Sequence, residues 1–495
     1  MNYFAPPEML RHHRPLLLAC EAIGLVHMAG KARAEFLQRQ SDEKVDYDYK
    51  RWHNYEQPPF PWDGLLDWVK QFPNSSIPPN AWPSSIKEFT EKHTDHGNNG
   101  LLGLLQAGHA MASGIEKNLP RKTSEYLKQL LPHMWLSSSF GHPKRNLFRD
   151  PPVVLTERGW RELVAQIRRV LEKLRSLALG GASEPSLWAE WREQVIGSSS
   201  YIRQAFLSTL AETRLPNNDV TLWDQSYVAA ALFKSAVAGA LLDNNFPWND
   251  GAIKQKIRWR LLTIAIGSEH YEARAVKIGD WTGTQAVLED FFHRVSHLIE
   301  EDLAVGSLLY RDSSVAVFSF PGERFDESVP APWLNVDGWV TWLQAEVDRI
   351  AQELELETPP LVRLSTPTRS LVPLVRERRE VYKKIAIPLH RSWDVRWCVP
   401  GEISGHVCPV CQMRPNGDPT NKNKPCRVCQ ERRHHRLDDW LNGRLGYDTI
   451  WLEEVADRNE RIAILTFSLD LEPWLEGERV DSLRVQAISE WARFN

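Results

Sequence analysis

The chain has little of what marks a membrane, secreted or disulfide-framed protein. No unbroken apolar run reaches the ~18 residues of a spanning helix. The N-terminal MNYFAPPEMLRHHRPLLLACEAIG is partly apolar, but His and Arg precede the apolar run and Glu21 interrupts it. No small-residue cleavage site follows, so no signal peptide is read, and a cytoplasmic location without membrane partners is expected. Only six cysteines occur in 495 residues, and in a cytosolic chain a disulfide framework is the poorer explanation of them. No GxxxxGK[ST] loop is present, which removes a P-loop nucleotide site. Low-complexity tracts are missing as well. With 25% charged and 42% apolar residues and a mean hydropathy of −0.42, a mainly disordered, collagen-like or membrane-embedded chain is excluded.

What is present suits about two to four domains with ample core. The net charge of −4 hides a gradient. From Val362 to Arg436, 16 Lys+Arg stand against 6 Asp+Glu, a net of +10, which leaves −14 for the remainder. A uniformly basic nucleic-acid binder is thereby disfavoured, and a locally basic segment stands out.

Cys20 and Cys398 stand alone. The other four form Cys408-Pro-Val-Cys411 and Cys426-Arg-Val-Cys429, with 14 residues between the pairs. Two CxxC knuckles at this separation suit one tetrahedral zinc ion. The intervening QMRPNGDPTNKNKP is polar and rich in turn formers. Four thiolates leave no open coordination position, so a structural Zn2+ is expected. His406, His434 and His435 flank the knuckles as surface residues. Arg427, Arg432, Arg433 and Arg436 surround the second knuckle, either as phosphate contacts or as a solvated basic face.

Residues 1–195 read as helical. Arg14–Gly30, Asn99–Lys117 and Thr156–Leu179 carry apolar residues at helical spacing. LGGASEPS at 179–186 reads as a hinge. Ser226–Leu242 is apolar nearly all round and should be buried. A strand-like run Trp259–Ile266, an amphipathic helix Gly283–Asp302, two strands within Gly306–Phe320 about an Asp312-Ser313 turn, and a helix Trp339–Leu354 follow. Strand, helix, hairpin, helix is the order of a ferredoxin-like βαββαβ domain, as in polymerase and cyclase palms. After the cysteines, Arg461–Leu469 reads as a strand ending at Asp470, and 482–493 as the start of a helix.

This order resembles the large palm-domain subunit of type III CRISPR–Cas effector complexes. LVHMAGKAR at 25–33 resembles that family's HDxGK signature, GHAMASGIEK at 108–117 its ADxxASGxDR-type helix, and NNDVTLWDQSYVAAALFKSAVA at 217–238 its lead-in to the first palm. GSLLYRDSSVAVFSF resembles the first palm's hairpin. The resemblance is colinear over essentially the whole chain. It implies an α+β multidomain fold. A helical HD-like domain would span 1–195 and a first ferredoxin-like palm 196–400. A zinc-binding module would span 401–440 and the start of a second palm 441–495. It also implies CRISPR RNA, target RNA and smaller backbone subunits as partners in an antiviral ribonucleoprotein complex.

The family's activities meet mixed residues here. A two-metal HD site needs adjacent His and Asp, but His27 is followed by Met28, and a thioether cannot replace a carboxylate on hard metals. The resemblance sets His109 at the position of a second Asp and His96 at that of an intermediate His. With Asp95 or His13 these histidines would bind one transition metal, or else they belong to a degenerate, structural HD fold. The family polymerises ATP into cyclic oligoadenylate with Mg2+ or Mn2+ at a GGDD hairpin of the second palm. No GGDD occurs in this chain. Asp470, with Glu472, stands where that palm's first-strand metal ligand would lie, and the catalytic hairpin would either be supplied by a missing half, in a truncated or split subunit, or have been lost. Two other readings compete with a scaffold and regulator in that complex: a self-contained metal phosphohydrolase using the histidines, and a zinc-ribbon nucleic-acid adaptor without catalysis.

Overall fold

A helix that is small or apolar on every side has to be surrounded, and the rest of the fold is arranged around one such helix. The computed structural model describes residues 4–39, 45–55, 77–114, 134–137, 143–182, 184–213, 217–218, 220–326, 334–393 and 405–433. They form a mixed α/β structure. In its helical part, α1 is Pro6–Val26, α2 Gly100–Ala112, α3 Glu157–Leu179, α4 Pro185–Ile196 and α5 Leu222–Leu242. The surrounded helix is α5. Thr221 opens it with a capping box: its Oγ1 accepts from the Asp224 N–H, and Asp224 Oδ2 accepts from the Thr221 N–H. Its alanines let α1 and α2 approach closely. A Cβ on Gly24 of α1 would lie 2.9 Å from Ala230 Cα, and one on Gly108 of α2 3.0 Å from Ala229 O. Pro6–Ala32 and Leu222–Leu242 are long and apolar enough to cross a membrane by length and composition alone; 94% and 83% of their most apolar windows are buried against the rest of the fold.

The other side of α5 meets a four-stranded antiparallel sheet. Here β1 is Trp259–Ala265, α6 Ile278–His297, β2 Leu308–Arg311, β3 Val315–Pro321, α7 Val336–Glu353, β4 Leu361–Leu364 and α8 Pro373–Ile385. The strand order is β2-β3-β1-β4, with Leu262 opposite both Phe318 and Leu364. Both central strands are buried at every position, which is why each reads as a continuous apolar run without alternation. Leu262, Ile264, Phe318 and Phe320 join the main core with the helices, whereas Leu261, Ala265, Val315 and Val317 pack under Val381 and Ile385 of α8. A second, three-stranded sheet (Trp135–Ser137, Pro143–Asn146, Asn217–Asn218) has one antiparallel and one parallel pairing.

The expected elements from residue 156 to 354 recur within about five residues of the boundaries read from sequence, whereas α1 starts at Pro6, well before the expected Arg14, and α2 ends at Ala112, with 115–117 of the expected helix outside the described residues. Two expectations change. The helices on either side of the stretch read as a hinge, α3 and α4, pack against each other, and Trp191 Nε1 donates to Val170 O at 2.9 Å. The boundary at 195 falls inside one apolar core that runs from Leu10 to Val362. The stretch 441–495, expected to start a second palm, lies outside the described residues.

Charge as well as apolar area joins the two halves. The last turn of α6 widens into a π-helical turn, Leu298–Asp302, which directs Glu300 inward. Arg192 of α4 donates to Glu21 of α1 at 2.8 and 2.9 Å and to Glu300 at 2.9 Å. Lys234 of α5 donates to Glu21 Oε1 at 2.8 Å, and the Leu308 N–H of β2 donates to Glu300 Oε1 at 2.9 Å. All four charged side chains are buried. Burial would raise the Glu21 carboxyl, but Arg192 and Lys234 outweigh it and hold the group at about 2. Burial lowers Lys234 to about 8 despite Glu21, so both stay charged near neutrality. Glu21→Ala leaves two buried cations short of a partner and is expected to cost about 3–5 kcal/mol, read as a lower denaturant midpoint. The ordinary carboxyl value is 4.5, so the contribution of Glu21 is present above that pH and falls away as the pH drops toward about 2. Urea midpoints measured down that acid limb should converge for wild type and Glu21→Gln.

Candidate metal centres

The four expected cysteines come together. Their Sγ atoms lie within 4.8 Å of one another, and all four residues are buried. A zinc tetrahedron with Zn–S of about 2.3 Å has edges of about 3.8 Å, and Cys411 Sγ lies 3.9 Å from Cys426 Sγ. Backbone N–H groups point at the sulfurs, from Cys426 to Cys408 at 3.2 Å and from Arg414 to Cys411 at 3.5 Å. After the first knuckle Gln412 takes a left-handed backbone, φ 54°, and its N–H returns to Cys408 O at 3.0 Å. The four thiols crowd one another. Hydrogen bonds from its three neighbours pull Cys408 down, while hydrogen bonding to the other three pushes Cys429 up. A divalent cation removes this conflict by binding all four as thiolates. The donor set fits structural zinc.

The module is docked by arginines. Arg414 and Arg432 both donate to Glu357, which is 1% exposed. Arg427 Nη2 donates to Glu355 at 2.6 Å, and Arg433 Nε to Asp280 at 2.7 Å. Arg274 Nη1 donates to Cys411 O at 2.7 Å. Glu355 takes a left-handed backbone, φ 53°, at the end of α7, and its carbonyl accepts from Arg414 and Arg432. Of the arginines expected as phosphate contacts or a solvated face, Arg427 is exposed and Arg432 and Arg433 are half-buried, and each pairs with a carboxylate that precedes the module in the chain. The acids lie about 70–150 residues away, so no local signal reveals the pairing. Arg436, His434 and His435 lie outside the described residues. His406 is exposed, as expected.

A second cluster forms where α1, α2 and the turn after Lys87–Glu91 meet. His27, His93 and His109 are buried, and one ligand nitrogen from each lies within 4.8 Å of the others. His27 Nδ1 faces Gly24 O at 2.5 Å, and His93 Nδ1 faces Thr90 O at 2.8 Å. His27 Nε2 lies 3.0 Å from His109 Nδ1. His93 Nε2 is buried without a hydrogen-bond partner, a situation that costs about 1–3 kcal/mol. Burial lowers His27 to about 4 and His93 well below its ordinary value, so both imidazoles are neutral at physiological pH. Of the expected histidines, the structure joins His27 and His109 but not His96. His96 and Asp95 are exposed, and His13 is buried on α1 next to His12, outside the cluster. His93 takes the place expected of His96. A signal for it existed: Phe89, Thr90 and His93 continue one helical face at spacings of four and three, whereas Asp95-His96-Gly97 is a turn.

At the sheet hairpin, Asp312 is fully occupied. Its Oδ1 accepts from the Ser314 and Val315 N–H groups at 2.9 and 2.8 Å. Its Oδ2 accepts from Tyr310 Oη at 2.9 Å, Arg378 Nε at 2.9 Å and Tyr382 Oη at 3.1 Å, the last two on α8. Among the described residues, the thiol and imidazole clusters are the groups of three or more His, Cys, Asp or Glu close enough for a metal, and Asp312 belongs to neither. Asp470 and Glu472 lie outside the described residues.

No protein-family model matches the chain, and no curated protein matches it.

Two outcomes separate the metal from the docking. Cys426→Ser should lose zinc by elemental analysis, and amides of residues 405–433 should lose exchange protection before those of α1 and α5. Glu357→Ala should keep its zinc while limited proteolysis reaches the module faster, because Arg414 and Arg432 lose their shared partner.

Proposed function

We propose that the chain is a large-subunit relative of type III CRISPR–Cas effector complexes, acting as scaffold and regulator in an RNA-guided antiviral ribonucleoprotein. One observation carries the reading. A βαββαβ sheet with strand order β2-β3-β1-β4 is followed, beyond α8, by a four-cysteine module that pairs with Asp280 of α6 and with Glu355 and Glu357 after α7. That strand order supports a ferredoxin-like palm, with α6 and α7 as the two crossover helices. The helical part, with His27 and His109 facing each other across α1 and α2, supports an HD-like domain.

A scaffold is the form of the activity that the described side chains support. A palm that transfers nucleotides holds two divalent ions on carboxylates of its first strand and its hairpin. Here β1 reads WRLLTIA, without a carboxylate. The hairpin offers Asp312, whose oxygens already accept five hydrogen bonds. Conversion of ATP to cyclic oligoadenylate with Mg2+ or Mn2+ would require a GGDD hairpin from outside residues 1–495. The partners are a CRISPR RNA, its target RNA and smaller backbone subunits.

Native purification through a tag on this chain tests the reading. Small RNA and smaller subunits should co-elute in fixed stoichiometry and survive moderate salt. Recovery of the chain alone and free of RNA, from cells that express the neighbouring genes, would count against it.

A further inference from the structure

The resemblance to HD domains implies a pair of hard metal ions bridged by a carboxylate, and the residues present do not fit that arrangement. Met28 follows His27, and its side chain is buried. No Asp or Glu belongs to the cluster. We infer that His27, His93 and His109 instead form a mononuclear site for a borderline divalent cation of the zinc, cobalt or nickel type, with a structural role.

Three observations converge on it. The first is the direction of the lone pairs. Backbone carbonyls at Gly24 and Thr90 take the Nδ1 side of His27 and His93, which puts the proton on Nδ1 and turns the Nε2 lone pair of each into the cluster, that of His27 toward His109 Nδ1 at 3.0 Å and that of His93 toward no hydrogen-bond partner. The second is the orphan. His93 is fully buried, its Nε2 has no partner, and the neighbours it faces are two more imidazoles. The ring centres of His93 lie 4.9 Å from His27 and 4.6 Å from His109. The third is the donor type. An all-imidazole set is neutral and of intermediate softness, which favours zinc-like ions over Mg2+ or Ca2+. Lys31 is the nearby cation, but its Nζ donates to Ala211 O and Gln225 Oε1.

The role follows from the position. The ligands come from the end of α1, the turn after Lys87–Glu91, and α2, so one ion ties three segments that pack beside α5. All three side chains are buried, and a closed site offers no room for a phosphodiester. This inference is independent of the scaffold reading, since it concerns one chain with no RNA or subunit bound.

The test uses the full chain purified without chelator. Elemental analysis should find about two zinc ions per chain, and His93→Ala about one, while His96→Ala, at an exposed position, keeps both. Cobalt substitution identifies the two sites separately: the thiolate site shows sulfur-to-cobalt charge-transfer absorption, and the imidazole site shows d–d bands without it. His93→Ala should remove only the latter. One zinc per wild-type chain, with a cobalt spectrum wholly of the thiolate kind, would overturn the inference. The wild-type spectrum decides the matter even where His93→Ala does not fold.

Discussion

Four charges held away from water set the relation between the helical half and the sheet. Glu21, Arg192, Lys234 and Glu300 come from α1, α4, α5 and the π-helical turn after α6. Desolvating a single such ion costs several kcal/mol even after relaxation, which is a large share of the roughly 5–15 kcal/mol by which a domain is stable. None of the four elements can hold its charge in the core until the others are present. They therefore belong to one buried network, which spans the boundary read near residue 195. The π-turn serves this arrangement: one extra residue per turn rotates Glu300 inward, while Asp302 reaches back to Arg11 and Arg14 of α1.

The same rule governs the cysteine module on a smaller scale. A segment of about 30 residues has too little apolar surface for its own core, and its buried apolar residues are the four cysteines with Val410 and Val428. The metal supplies internal cohesion, and Glu357 supplies attachment. Glu357 is buried with two guanidinium groups around it, so undocking would strand both a carboxylate and Arg414. Holding Glu355 in a left-handed backbone costs on the order of 1 kcal/mol. The arginines that its carbonyl accepts from offset that cost, and the end of α7 is shaped by the module it receives.

How much of this was legible in the sequence depended on whether a signal was local. Helices were readable because apolar residues recur at helical spacing, but that spacing starts α5 at Ser226 and α7 at Trp339, short of the caps at Thr221 and Asn335 that open them. The central strands were readable because burial on both faces leaves no polar alternation. The cysteine spacing named its own chemistry. The histidine cluster was half legible: His27 and His109 sit in recognisable contexts, but choosing His96 over His93 followed motif order instead of the helical face that Phe89 and Thr90 define. Strand β4 and helix α8 went unplaced. Only four residues long, β4 is fixed by pairing with β1, and α8 is so rich in Arg and Glu that its buried face is Glu377, Val381 and Ile385.

The basic segment from 362 to 436 shows why a charge window can mislead. Its net of +10 suggested a surface for phosphate. Yet Arg378, Arg391, Arg414, Arg427, Arg432 and Arg433 pair with Asp312, Asp348, Glu357, Glu355, Glu357 and Asp280, all of which precede the segment. The excess of cations after residue 362 and part of the excess of anions before it are two sides of one intramolecular interface. A window along the chain separates partners that the fold brings together, so it counts as free charge what is already neutralised. The arginine pairs that are buried keep their strength in salt, because screening acts mainly on exposed charge. Salt dependence of any RNA binding therefore reports on other cations than Arg414 and Arg432, and those two belong to the assembly of the protein itself.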